Sequence, residues 1–334
     1  MRVRSWQVQG TYPCGLSFAA SKVAGAVGGC GYPNNSGKGE VMEIFISIDI
    51  GGTAIKYGVI REDGVILDKG EMKTEAWQGG PAILEKVKRI AAGYMDRGPA
   101  GICISTAGMV NTQTGEIFHS APLIPEYTGT NYKAVLEGQF GIPCEVENDV
   151  NCAGLAEYVS GAAKGARVAL CLTVGTGIGG AVIMDGKVFH GAGYSACEVG
   201  YMTLADSDFQ TLGASSIMTK KVADRKGEPV SAWSGYRIFE AAKAGDAICA
   251  GAIDEMAQVL GQGIANICYV LNPDVVVLGG GVMAQEAYLR GRIEAALAAY
   301  LVPSVASCLK LEFARHKNDA GMMGAFYHFK QLHP

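Results

Sequence analysis

Ile48-Asp49-Ile50-Gly51-Gly52-Thr53, with an Asp63-Gly64 turn downstream, returns later in the chain as Leu172-Thr173-Val174-Gly175-Thr176-Gly177 with an Asp185-Gly186 turn downstream. Each unit reads as strand, Gly/Thr turn, strand, Asp-Gly hairpin turn, strand. An internal duplication of one such unit implies two related halves. Two halves facing each other aim two glycine turns at one ligand.

Outward from the first unit, Ile44 to Ile50, Ile55 to Ile60 and Val65 to Asp68 read as strands. Pro81 opens a helix to about Met95, Gly101 to Ser105 is a strand, and Asn131 to Phe140 a helix. Around the second unit, Val168 to Val174, Ala181 to Met184 and Lys187 to His190 are strands, with Gly175 to Gly180 as the glycine turn between the first two. Helices then dominate, the longest near Ala247 to Leu271, with apolar Ile248, Ile253, Met256, Val259, Leu260 and Ile264. Val275 to Leu278 is a buried strand, its Gly279-Gly280-Gly281 turn opens another helix, and a last, small-residue-rich helix begins near Asp319. This alternation makes the chain an α/β protein. Residues 1–41 carry Ser, Gly, Pro and Asn clusters and no sustained period. They read as a disordered N-terminal extension or a start-site artefact, with the folded protein beginning near Met42.

Composition narrows the function classes. Of 334 residues, 49% are hydrophobic and 18% charged, which supports a large core and argues against disorder. A net charge of -4 argues against nucleic acid or an anionic membrane as the main partner. No apolar run reaches the roughly 18 residues a membrane span needs. The 10 cysteines form no Cys-x-x-Cys pair, so buried reduced thiols in a cytoplasmic protein are the reading.

Chemistry concentrates at Cys144-Glu145-Val146-Glu147-Asn148-Asp149-Val150-Asn151-Cys152, a β-prone run from Pro143 to Glu147 leading into a helix from Val150 to Val159. Such a junction puts side chains at the carboxyl edge of a sheet, where α/β proteins bind ligands. Asp149 is a candidate general base with Asn148 as its neutral neighbour; alternatively it serves only as a helix N-cap. Gly51-Gly52-Thr53 and Gly175-Thr176-Gly177 offer backbone N–H groups and hydroxyls to phosphates, with Lys56 adding charge; each alone is equally an ordinary tight hairpin. Gly175 to Gly180 also satisfies Gly-x-Gly-x-x-Gly, but that dinucleotide fingerprint must open a helix, and here a strand follows. Asp49, at a strand end before the first glycine turn, suits a Mg²⁺ that bridges nucleotide phosphates through water. Glu198, in the glycine-bounded loop Gly193 to Met202, accepts two neighbouring hydroxyls or is a solvated loop carboxylate. Cys197 has no basic partner in sequence and reads as a packing residue.

Asp49-Ile-Gly-Gly-Thr53, Glu147-Asn-Asp149, Gly175-Thr-Gly-Ile-Gly-Gly180 and Glu198-Val-Gly-Tyr201, taken together, resemble the ROK (repressor, open reading frame, kinase) family from about Met42 to the C-terminus. The detail, including Ile104 to Met109 and Ser195 to Met202, is most similar to the zinc-free β-glucoside kinases. The resemblance implies an actin-like (ribonuclease H-like) ATPase fold of two lobes with an interlobe cleft. Residues 42–148 form the small lobe, residues 149–317 the large one, and helix 318–334 packs back on the small lobe. It implies Asp149 as base; Gly108, Asn148, Asp149, Glu198 and Tyr201 around the sugar; Gly51, Gly52, Thr53, Lys56, Gly175, Thr176, Gly177 and Gly280 around ATP; Asp49 near Mg²⁺; and a homodimer.

The family usually carries His where Tyr201 stands, followed by a cysteine-rich zinc loop. Between Tyr201 and Cys249 this chain has neither Cys nor His, so no such zinc site is expected and the loop from Leu204 to Ser216 must be held by packing. The expected activity is ATP-dependent phosphorylation of the 6-hydroxyl of a glucose unit, in a β-glucoside such as cellobiose. Glucokinase and N-acetylmannosamine kinase are the alternatives within the class. A sugar-sensing repressor needs a helix-turn-helix, and residues 1–41 hold no amphipathic helix pair. A non-catalytic sugar-binding relic is disfavoured by the presence of both Asp49 and Asp149.

Overall fold

The structure, a computed structural model, describes residues 42–334; the expectation for residues 1–41 lies outside them. The chain runs through β1 (Ile44–Ile50), β2 (Ala54–Arg61), β3 (Ile66–Lys73), α1 (Gly79–Ala92), β4 (Gly101–Thr106), a small hairpin of β5 (Met109–Asn111) and β6 (Glu116–His119), α2 (Tyr132–Phe140) and β7 (Cys144–Asn148). These strands form a sheet in the order β3-β2-β1-β4-β7, with the hairpin set apart. Ile46, Ile48 and Ile50 of β1 are fully buried, as is Ser47 between them, because the strand lies at the sheet's centre with both faces covered.

There follow α3 (Asp149–Ser160), β8 (Val168–Val174), β9 (Ile178–Met184), β10 (Lys187–Val188), a hairpin of β11 (Thr203–Leu204) and β12 (Ser207–Asp208), and α4 (Phe209–Gly213). Then come α5 (Ser215–Lys226), α6 (Gly235–Lys243), α7 (Ala247–Leu271), β13 (Val275–Gly279), α8 (Glu286–Tyr300), α9 (Pro303–Ala306), β14 (Lys310–Phe313) and α10 (Ala320–Leu332). The second sheet has the order β10-β9-β8-β13-β14. In both sheets three antiparallel strands continue into two parallel ones. The duplicated sequence unit is therefore the antiparallel half of each sheet. Thr173 pairs with Gly279 as Asp49 pairs with Ser105, so the second unit has a hydroxyl where the first has a carboxylate.

Several boundaries differ from the sequence reading. β9 begins at Ile178 rather than Ala181, which shortens the glycine turn to Gly175–Gly177. Gly179 and Gly180 belong to the strand, where their bare backbones admit Val150 and Cys197. β10 ends at Val188, leaving His190 in the following loop. The Gly279 to Gly281 turn leads first into a 3-10 turn over Gly281–Gln285 and only then into α8. Beyond Tyr201, the β11–β12 hairpin and α4 are pinned by fully buried Phe209 and by Asp208, which caps α4 through the Thr211 N–H.

Two helices exchange sheets. α3 leaves the first sheet at β7 and packs on β8 and β9 of the second; α10 follows β14 of the second and packs on β1, β4 and β7 of the first. Phe45 of β1 meets Phe326 and Phe329 of α10 at ring centroid distances of 5.4 and 5.3 Å. Each such buried ring contributes about 1.5–3 kcal/mol. Where the two helices cross, a Cβ on Gly324 would stand 1.8 Å from the Cys152 carbonyl oxygen, so only glycine fits. Glu157 of α3, itself buried, accepts the Arg315 and His316 N–H groups at 2.8 Å and fixes the chain entering α10.

In an exposed helix interior, Gly→Ala stabilises by about 1 kcal/mol. Gly324→Ala is expected to do the reverse, destabilising by about 1–3 kcal/mol or more in urea unfolding, because backbone on one helix must move off backbone on the other. A more stable variant would show that the helices do not cross this closely.

Candidate active site

Two cavities lie along the carboxyl ends of the two sheets' parallel strands. The larger, about 590 Å³, is lined by Asp49, Gly51, Lys56, Gly279, Gly280, Lys317 and Asn318, among others. The smaller, about 360 Å³, is lined by Gly108, Asn148, Gly175, Thr176, Gly177, Glu198 and Tyr201, among others. Asp149, Thr173 and Gly280 line both, so the cavities meet at Asp149.

The local chemistry at β7–α3 settles which residue caps the helix. Asn148, in extended conformation, uses Oδ1 to accept the N–H groups of Val150 and Asn151 at 2.9 and 3.1 Å. The cap is thus Asn148, and Asp149 is the first helical residue. Asn148 Nδ2 donates to the Gly108 carbonyl at 2.9 Å and to Asp149 Oδ1 at 3.0 Å, and the Val150 N–H also donates to Oδ1 at 3.0 Å. Asp149 Oδ2 accepts no hydrogen bond from the described residues. Burial, with Asp49 nearby, pushes the Asp149 carboxyl up to about 6.

Asp49 accepts the Ser105 hydroxyl at 2.7 Å from the paired strand β4. Burial raises its pKa, with Ser105 and Lys56 opposing. Lys56, opposite Asp49 on β2, donates to the Asn318 carbonyl at 3.3 Å. The first turn of α10 lies over Asp49 at Gly321, where a Cβ would come within 2.3 Å of the carboxylate. Among the described residues no three His, Cys, Asp or Glu side chains gather as a metal-binding set. Asp49 alone suits a hard cation that keeps its waters and takes phosphate oxygens for its other ligands, which is how Mg²⁺ is ordinarily held.

The glycine turns differ in placement. Gly51 reaches the larger cavity, while Gly52 and Thr53 are exposed and line neither. Gly175, Thr176 and Gly177 line the smaller, their turn closed by Gly175 N–H to the Gly177 carbonyl at 2.9 Å. Ser215 and Ser216 of α5 donate to the Gly175 and Thr176 carbonyls at 2.8 and 2.6 Å, which braces the turn. Gly280 has φ +108, and a Cβ there would stand 2.2 Å from the Val174 carbonyl oxygen. Glu198 faces the smaller cavity, its pKa raised by the cavity walls and opposed by His119. Tyr201, 60% exposed, stands at the rim. Burial pushes the Cys197 thiol up to about 12, which leaves it a packing residue.

Sequence reasoning missed Lys317, Asn318, His119 and Gln210, all cavity-lining. None carries a periodic or spaced signal. Lys317 and Asn318 arrive with the chain entering α10, His119 with the β5–β6 hairpin and Gln210 with α4.

Residues 45–332 match the ROK family over most of the chain. The chain belongs to the ROK family. It is 49% identical to an uncharacterized protein of Clostridium perfringens over 87% of this chain and 99% of that one. It is 32% identical to the β-glucoside kinase of Klebsiella pneumoniae over 86% of this chain and 96% of that one. Among solved structures, a ROK family glucokinase from Streptomyces griseus in complex with glucose and AMPPNP superposes with TM-score 0.75 at 25% identity, covering 84% of this chain and 97% of that one. The fold is the actin-like ATPase fold, and this ROK protein is a sugar kinase, a phosphotransferase.

The raised Asp149 pKa carries a sign. Between the ordinary 3.8 and about 6 the folded state binds the proton more tightly than the unfolded chain does, so stability falls as pH rises through that window. Asp149→Asn removes the penalty while keeping an acceptor for Val150. The variant is expected to be more stable than the wild type by about 2–3 kcal/mol above pH 6.5, with the gain vanishing below pH 4, in urea unfolding across pH. A gain that does not vary with pH would show that Asp149 is not the titrating group.

Proposed function

We propose that this ROK kinase transfers the γ-phosphate of ATP to the 6-hydroxyl of a glucose unit, in a β-glucoside such as cellobiose. The observation that carries the proposal is Asp149 at the seam of the two cavities, one carboxylate oxygen unclaimed and its pKa near 6. A general base works best with a pKa close to the operating pH. Residues 42–148 with α10 then serve as one lobe and residues 149–317 as the other, closing on the substrates to keep water from the phosphate.

The sugar occupies the smaller cavity. Glu198 accepts two of its hydroxyls, and Gly108, Asn148 and Tyr201 complete the wall. Asn148 holds Asp149 by a hydrogen bond and so orients the base. The nucleotide's phosphates lie toward Gly280, with Gly51 and Lys56 on one side and Gly175, Thr176 and Gly177 on the other; Gly52 and Thr53 approach only on closure. Asp49 would hold Mg²⁺, which when bound neutralises phosphate charge. Asp149 takes the 6-hydroxyl proton as that oxygen bonds to the γ-phosphorus and the bond to the ADP oxygen breaks. No covalent enzyme intermediate forms. General base help accounts for about 10²–10⁴-fold, and positioning supplies the rest.

The β-glucoside assignment is supported by the exposed rim at His119 and Tyr201, which leaves room beyond the glucose unit. The K. pneumoniae enzyme's name points the same way. A cytoplasmic site fits an ATP-consuming enzyme with free thiols, mostly buried, among the described residues. A homodimer rests on the family resemblance.

In a coupled assay for ADP release, cellobiose is expected to be turned over with higher kcat/KM than glucose or N-acetylmannosamine. Asp149→Asn should lower kcat by at least about 10²-fold with sugar binding by calorimetry largely unchanged. Equal losses of binding and turnover would make Asp149 a structural residue. Turnover restricted to glucose would remove the β-glucoside assignment.

A further inference from the structure

Glu147 is 1% exposed and immediately precedes Asn148 and Asp149. Its two oxygens face different parts of the molecule. Oε1 accepts the Asn148 N–H at 2.7 Å and Asn151 Nδ2 at 3.0 Å, which fixes the start of α3. Oε2 accepts Nε2 of His190 at 2.6 Å, and Nδ1 of His328 lies 3.7 Å away. A buried carboxylate is costly unless it is paired, so His190 is held there by more than loop packing.

His190 begins the loop that ends at Glu198. Its carbonyl accepts the Ala196 N–H at 3.2 Å, and its ring meets Tyr194 edge-on at 5.9 Å. Within this loop Tyr194 and Cys197 have φ of +57 and +65, left-handed conformations that non-glycine residues keep only when their surroundings over-determine them. The His190–Glu147 bond therefore joins the second sheet's sugar-facing loop to the strand end of the first sheet that carries the base.

Resting on the sugar-kinase reading above, we propose that His190 is a positioning residue for the acceptor sugar. Through Glu147 it holds Glu198 in register with Asn148 and Asp149, so that the hydroxyl-binding carboxylate and the base address one sugar. His190 touches neither substrate. Its loss loosens the sugar site and leaves the nucleotide side, where Gly51, Lys56 and Gly280 lie, in place.

The test uses the full chain with His190→Ala, His190→Asn and His190→Gln. The Gln amide is long enough to donate to Glu147, and the Asn amide is too short. His190→Ala and His190→Asn should raise the KM for cellobiose and for glucose by about tenfold or more, with the KM for ATP within about twofold of wild type. His190→Gln should recover most of the loss. If the Ala variant does not fold, Asn against Gln carries the comparison. An unchanged sugar KM in His190→Asn, equal increases in sugar and ATP KM, or a Gln variant no better than Asn would each overturn the proposal. Calorimetric glucose affinity of the same variants separates this from the kinase reading. A wild type that binds glucose without turnover refutes the Asp149 mechanism, and the affinity series still decides the role of His190.

Discussion

The contact between Gly324 of α10 and the Cys152 carbonyl of α3 constrains the rest of this molecule. Each helix leaves one sheet and packs on the other, so their crossing fixes the two sheets relative to each other. α3 begins at Asp149, and α10 begins beside Asp49. A displacement of α3 therefore moves Asp149 at the seam between the two cavities, and a displacement of α10 changes what packs on Asp49. The smallest residue stands at the tightest point because backbone must touch backbone there.

The electrostatics follow from that geometry. Two carboxylates share a desolvated region, and both have raised pKa values, Asp149 to about 6. Folding tolerates this because each has a local donor: Ser105 for Asp49, Asn148 and Val150 for Asp149. Stability is given up at neutral pH to keep a carboxylate at a cavity wall, a pattern common where chemistry is done. Around it the loop leading to Glu198 is strained and the glycine turn is braced by Ser215 and Ser216.

Much of this was legible in the sequence. The repeated strand–turn–strand units, spaced by Asp-Gly turns, follow from local pattern, and they reappear as the antiparallel halves of two sheets. The junction at Asn148-Asp149 was legible too, although the sequence left open whether Asp149 was only a cap. The hydrogen bonds of Asn148 assign the cap to Asn148 and leave Asp149 as the first helical residue. What local pattern does not carry is the exchange of α3 and α10 between sheets, the arrival of Lys317 and Asn318 beside Lys56, and the reach of His190 to Glu147. Each depends on segments distant in the chain, and a residue's own neighbours in sequence do not report such contacts. The extent of β9 was misread for a related reason: its glycines pair in the sheet because Val150 and Cys197 press on them from elsewhere.

In the proposed mechanism Asp149 is a base with a pKa raised to about 6. The most direct measurement is kcat/KM for the sugar against pH from 5 to 8, which reports the protonation of the base before the sugar binds. This ratio should be flat above pH 7 and fall toward tenfold per pH unit below about 6 as Asp149 takes up its proton. A ratio unchanged down to pH 5 would contradict the assignment of Asp149 as the base.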